Sequence, residues 1–314
     1  MQNMSKIFEI TVSLFRDGYF ESTHNVNCYS NISKESNYFF PRSAVKPFQV
    51  IPLLMEADKL GFTLDSDEVA IFASSHSGQD IHTNLIEKIA KKYNLNLEYI
   101  SCGPQRPFHD ISADNYIRKN KEYLNLHNNC SGKHLSMVLF SKLLGVEAEN
   151  YADRTHLTQK IIEKFFVELF EDREMSFGID GCGLPAIRVS TANFLKSVVK
   201  INSSYTSKYW KLVFDAYNSF PELVGGTNRT DTNIMLHSNE KLLAKSGAEG
   251  VLFVTNNIES YIFKCLDGSK RGVDLAATYF LENKGFIDSQ PFLNLEKIYS
   301  YNMQNNKAVT IKIN

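Results

Sequence analysis

The sequence predicts an α+β fold, in which strands from both ends of the chain form one antiparallel sheet, helices pack on it, and a helical region is inserted between. Three observations carry that expectation. Residues 7–14 alternate, with Phe8, Ile10, Val12 and Leu14 on one face, and Tyr19 to Cys28 alternates again. Three short strand-like runs, Lys241–Lys245, Val251–Thr255 and Tyr261–Leu266, follow near the end. Nearly everything between carries helical spacing.

Arg16-Asp17-Gly18 is a turn signal, so the first two runs read as an N-terminal hairpin. Ser43 to Leu60 is helical, with Phe48, Ile51, Leu54 and Met55 on one stripe, and Pro52 should kink it by removing a hydrogen bond. Ile81 to Tyr93 places Ile81, Leu85, Ile89 and Tyr93 at helical spacing. Lys133 to Leu144 is apolar nearly all round, which predicts a buried helix. Leu157, Ile161, Phe165 and Leu169 give the strongest amphipathic stripe. Further helices are expected over 207–219 and 271–282, and a last strand over Ala308–Ile313. We read one unit over residues 1–314, with room for two lobes: 1–60 plus 240–314 holding the sheet, and 61–239 mainly helical.

Composition narrows the function. The chain has 314 residues, 43% hydrophobic and 22% charged, which suits a globular protein with a substantial core. A net charge of -1, with basic residues scattered, gives no electrostatic reason to expect nucleic acid or an acidic membrane as partner. No apolar run approaches the ~20 residues of a membrane span. Met1 to Phe8 holds no apolar stretch with a cleavage site, so no signal peptide is expected. Five cysteines without a dense pattern fit a reducing cytoplasm.

The chemistry lies in short motifs far apart in the chain. Ser43 and Lys46 are three apart at an expected helix start, which puts both on one face. A serine hydroxyl attacks only after a base takes its proton, and a buried lysine amine can be that base. Alone, the spacing fits an N-cap serine and a solvated first-turn lysine better. Ser75, in Ala73-Ser74-Ser75-His76-Ser77-Gly78, lies just before a helix, where small polar residues usually mean a loop and a cap. Lys245, in Lys245-Ser246-Gly247, is expected at a strand end. Cys130, Lys133 and Cys182 form a candidate metal set, although lysine is a rare ligand and buried structural cysteines suit the spacing better. His134 and Asp180 could support such a set or be ordinary satisfied polar groups.

Taken together, Glu21-Ser22 with His24, Pro41-Arg42-Ser43-Ala44-Val45-Lys46-Pro47 with Gln49 and Pro52, Ser75-His76, Asn129-Cys130-Ser131-Gly132-Lys133-His134, Asp180-Gly181-Cys182-Gly183 with Pro185, Pro221 to Asp231, Lys245 to Gly250 and Asp267-Gly268 resemble the asparaginase II family of the Rhizobium type, in this order and over nearly the whole chain. The turn reads Arg16-Asp17-Gly18 where that pattern has Arg-Gly-Gly, and Asn25 to Tyr38 lacks the expected loop glycines. The resemblance implies a serine β-lactamase-like fold and a cytoplasmic amidohydrolase, a homodimer, that hydrolyses L-asparagine. It implies two Ser–Lys pairs, Ser43 with Lys46 and Ser75 with Lys245, and zinc at Cys130, Lys133 and Cys182, with Arg42, His134 and Asp180 around the substrate or the metal. A glutaminase or another serine β-lactamase-like amidohydrolase is the alternative enzyme, and a zinc-binding scaffold the non-enzymatic one. Gly225-Gly226-Thr227 and Thr230-Asp231-Thr232 resemble the threonine-nucleophile motifs of other bacterial asparaginases. Both, however, sit in one late stretch after Pro221, whereas that family's first motif follows an N-terminal strand.

Overall fold

The computed structural model describes residues 7–314. The start of the chain through Lys6, on which the expectation of no signal peptide largely rests, lies outside the described residues. Nine strands form two sheets among the described residues: β1 (Phe8–Arg16), β2 (Tyr19–Ser30), β3 (Tyr38–Phe39), β4 (Ser176–Ile179), β5 (Pro185–Ser190), β6 (Leu243–Gly247), β7 (Val251–Thr255), β8 (Ser260–Cys265) and β9 (Thr310–Ile313). The main sheet runs β6-β7-β8-β2-β1-β9, with every neighbouring pair antiparallel. The α+β class, with a sheet shared by the two ends of the chain, is as the sequence predicts.

The hairpin forms because alternate residues have a core to enter: Ile10, Val12 and Leu14 are buried on β1. Its tight turn puts Asp17 at φ 48, a left-handed conformation that aspartate tolerates. Helices cover Asp80–Lys92, Ser131–Leu143, Leu157–Phe170, Ser207–Ser219 and Lys270–Asn283, all within a residue or two of expectation. The Ser131–Leu143 helix is buried along almost its whole length, as its apolar circumference predicts.

Three expectations need correction, and one sheet lies outside all of them. The helix over 43–60 is a 3-10 turn at Arg42–Val45, a short helix at Lys46–Gln49 and a second at Ile51–Lys59. The break falls at Val50, because Pro52 takes an early position in a new helix, where its missing N–H costs nothing. The strand expected at Lys241–Lys245 lies two residues later, so Lys245 is central in β6 and opposite Phe253. The last strand begins at Thr310, two residues late. A second, three-stranded sheet in the order β3-β5-β4 was not foreseen at all.

Phe48 anchors the segment that carries Ser43 and Lys46. Its ring stacks on Trp210 at 4.9 Å and meets Phe170, Phe194 and Phe253 within 6 Å, with no exposure to water. Burying such a ring is worth about 2–3 kcal/mol, enough to fix the backbone two residues away. Gly247 closes the other side. A Cβ there would lie 2.4 Å from the Pro41 carbonyl, so only glycine lets β6 approach the turn beneath Ser43.

Candidate active site

Segments from across the chain converge on a cleft of about 690 Å³ lined by Ser43, Ser75, Cys130, Asp180 and Cys182, among others. A neighbouring groove of about 590 Å³ shares Arg42 and Glu249 with it but carries none of the candidate serines or cysteines.

Ser43 sits half-buried in the 3-10 turn, and its hydroxyl caps neither that turn nor the helix after it. The plain reading of Ser43 as an N-cap therefore falls. Arg42 beside it has φ 52, an uncommon conformation for a long side chain. It turns the guanidinium onto Asp180, with Nε and Nη2 each donating to a carboxylate oxygen at 3.0 Å. Asp180 and Cys182 lie at the tip of the β4–β5 hairpin, closed by Asp180 N–H to Leu184 O at 2.8 Å. Burial pushes the Asp180 carboxyl up, but Arg42 more than offsets this and leaves it below the usual range.

Lys46 is buried rather than solvated. Its ammonium donates to Ser74 O at 2.7 Å, to Ser75 Oγ at 3.0 Å and to Cys130 Sγ at 3.2 Å. The serine bonded to Lys46 is thus Ser75 and not Ser43. A buried ammonium needs acceptors for all three hydrogens, and the Ser74–Ser75 segment and Cys130 supply them. That segment is fixed by Ser75 N–H to Val224 O at 2.9 Å and His76 N–H to Asn129 O at 3.2 Å. His76 is locked neutral, because its Nδ1 accepts from Gly78 N–H and its Nε2 bonds Ser131 Oγ, which itself donates to Leu126 O. Burial, with His82 and Lys46 nearby, pushes its pKa well down.

Lys245 is fully buried but does not bond Ser75 among the described residues. It donates to Ser246 O at 2.9 Å and faces Asp231 Oδ2 at 3.5 Å. Burial brings its pKa down to about 7; Asp231 opposes the shift, while Lys46 and Arg229 add to it. Asp231, also fully buried, accepts the Ser246 N–H at 3.1 Å. Burial pushes its carboxyl up, yet Lys245 and Arg229 hold it at about 2. Sequence reasoning passed over Asp231. It lies in Thr230-Asp231-Thr232, which looks like cap chemistry or the nucleophile motif of another family. Neither threonine resembles a nucleophile here: Thr232 Oγ1 donates to Pro221 O, and Thr230 Oγ1 accepts from Lys270.

Cys130 and Cys182 line the cleft together, and Lys133 lies fully buried in the first turn of the helix that follows Cys130. Asn128 Oδ1 accepts the Cys130 N–H at 2.9 Å and so sets the start of the Ser131–Leu143 helix. The two thiols titrate together: Cys182 beside it, helped by Lys46, holds Cys130 below the usual thiol range against burial, while Cys182 is pushed up in return. Lys133 is fully buried, and burial with the charge of Lys46 drives its pKa well below that of a free lysine. A thiol disposed to ionise, a second thiol and an amine disposed to be neutral make a donor set that fits zinc. His134 points its Nδ1 at Tyr151 Oη, 2.5 Å away, and its buried Nε2 has no partner among the described residues. Tyr151 accepts from Ser101 and so donates to Nδ1, which leaves the proton of this neutral ring on Nε2. Burial, Lys46 and Lys133 bring its pKa down to about 3.

The His24 and Asp267-Gly268 motifs lie beside the cleft and are saturated. Arg271 Nε donates to His24 Nε2 at 3.0 Å, so Nδ1 carries the proton shared with Asp267 Oδ2 at 2.6 Å. Cys265 donates to the other Asp267 oxygen at 2.9 Å. These three groups are close enough to ligate an ion, but the ring has no free lone pair. Their work is to hold the turn that brings Gly268 to the cleft.

Comparison with known proteins agrees with these motifs. A family model described as L-asparaginase II matches residues 12–313. No curated protein matches the chain. A solved structure of a candidate beta-lactamase from Bacteroides dorei is 9% identical, covers 93% of this chain and 93% of its own, and superposes with a TM-score of 0.38. At that score the likeness adds nothing to the topology described above.

Proposed function

The chain belongs to the L-asparaginase II family of amidohydrolases, and from that premise we propose that it hydrolyses L-asparagine to L-aspartate and ammonia through an ester on Ser43. The observation that carries the reading is the placement of Lys46, which starts on the turn that carries Ser43 and ends in a bond to Ser75 Oγ at 3.0 Å. Ser43 is the more open of the two and has no intramolecular partner for its hydroxyl among the described residues, whereas Ser75 is 3% exposed.

In the proposed reaction Lys46, after giving up one proton, takes the Ser43 proton as Oγ bonds to the side-chain amide carbon. The tetrahedral intermediate then collapses, the C–N bond breaks, and the leaving nitrogen takes a proton from Lys46 by way of Ser75. Water attacks the ester, with Lys46 again the base, and aspartate leaves. Lys245, facing Asp231, is the second amine of this relay. The Lys46–Ser75 bond also favours a second reading, in which Ser75 attacks. Ammonia release from L-asparagine, measured beside L-glutamine and a chromogenic β-lactam, tests the substrate. Asparagine is the expected winner, and turnover of only glutamine or the lactam would replace the reading.

Cys130, Lys133 and Cys182 are the residues that would hold zinc, whose charge and fixed coordination would stiffen this wall of the cleft. Purified protein is expected to contain about one zinc per chain, with Cys130→Ala losing it. Elemental analysis without metal, and both thiols labelled freely and independently, would remove the site.

The pH profile follows from Lys245. Its depressed pKa makes it neutral above about 7, and only the neutral amine can accept a proton in the proposed relay. We expect kcat/KM to rise about tenfold per pH unit on an acidic limb that bends near pH 7. A rate that instead falls above pH 7 would mean that the charged form of Lys245 is the active one.

A further inference from the structure

The cleft carries more charge than hydrolysis of an amide needs, and most of it is already paired. Arg42 is held by Asp180, Lys270 by Asp274 and Lys245 by Asp231. Arg229 is different. It lines the cleft and has no carboxylate within ion-pair distance among the described residues, and its Nε is buried with no hydrogen-bond partner. Its guanidinium lies over the Phe108 ring, 5.2 Å from the centroid. It is near enough to Lys245 and Asp231 to bias the titration of both.

Its position is tied to the catalytic segment. Ser75 N–H bonds Val224 O at 2.9 Å, and Ser77 Oγ donates to Gly225 O at 2.8 Å. Gln79 accepts the Thr227 N–H at 2.9 Å and donates to Thr227 Oγ1 at 3.0 Å. Gly226 has φ 110, and a Cβ there would lie 2.8 Å from Ser77 Cβ, so the loop can lie this close only with glycine there. The loop that ends at Arg229 is therefore tied to the Ser75–Gln79 segment through Val224, Gly225 and Thr227. A planar cation with a buried, unsatisfied N–H, fixed relative to the reacting hydroxyls, is suited to a planar anion on the same ligand.

Resting on the asparaginase reading, we propose that Arg229 binds the α-carboxylate of the substrate, and that the cleft thereby selects amides that carry a free carboxylate. Arg42 cannot take that role without giving up Asp180.

The test compares L-asparagine with 3-aminopropanamide, which keeps the amide and the amine but lacks the carboxylate. Measured at pH 9, above the limb that Lys245 sets, Arg229→Met is expected to lower kcat/KM for asparagine by about 100-fold and to change it for 3-aminopropanamide by no more than about twofold. Arg229→Lys should lose less, because it keeps the charge without the fork. Thermal unfolding of both variants checks the fold. L-Aspartate binding, followed by calorimetry, needs no turnover and should weaken by the same factor in Arg229→Met. An equal loss on both amides, or unchanged L-aspartate affinity in Arg229→Met, overturns the proposal, as does wild-type protein that binds no L-aspartate. Wild-type protein that binds L-aspartate through Arg229 yet hydrolyses neither amide upholds the anchor and removes the asparaginase reading.

Discussion

Ser43→Ala lowers kcat for L-asparagine by about 10⁴-fold or more while leaving the fold intact. The hydroxyl is half-buried, makes no cap and has no hydrogen-bond partner among the described residues, so its loss should change stability by no more than about 0.5 kcal/mol. Ser75→Ala is different in kind. It removes one of three acceptors from a buried ammonium, so it should both slow turnover and destabilise the protein by about 1–3 kcal/mol. Steady-state kinetics and chemical denaturation on the two variants separate an attacking group from a proton carrier. Activity kept in Ser43→Ala would remove Ser43 from the chemistry.

Asp231→Ala gives the second large effect. Both members of the Asp231–Lys245 pair are fully buried, and the Ser246 N–H also loses its acceptor. The expected cost is about 3 kcal/mol in denaturant unfolding. The pH profile should move as well. The charge of Asp231 pushes the Lys245 pKa up against burial, so without it the lysine loses its proton at lower pH and the acidic limb shifts below 7. A limb that stays in place while stability falls would show that Lys245 does not set it.

Much of this arrangement is legible in the sequence. The N-terminal hairpin is clear because three alternate residues enter the core, and the Ser131–Leu143 helix because it is apolar all round. The motifs name most of the cleft wall, since Ser43, Ser75, Cys130, Asp180 and Cys182 all line it. What stays hidden depends on tertiary contacts. Spacing of three cannot say where a four-carbon stem ends, and Lys46 runs inward to Ser75 because acceptors from two other segments wait there. The second sheet is built from strands of two, four and six residues, too short to show a period. Asp231 and Arg229 sit among threonines, glycines and asparagine that resemble turn and cap chemistry. Their importance appears only when β6 buries Lys245 against the one and the cleft leaves the other without a partner.

The most direct measurement is peptide mapping by mass spectrometry on enzyme that is acid-quenched during turnover of L-asparagine. The account predicts an aspartyl group esterified to the peptide that contains Ser43, and no such mass on the peptide that contains Ser75. An aspartyl group on Ser75, or a burst of ammonia with both serine peptides unmodified, would contradict it.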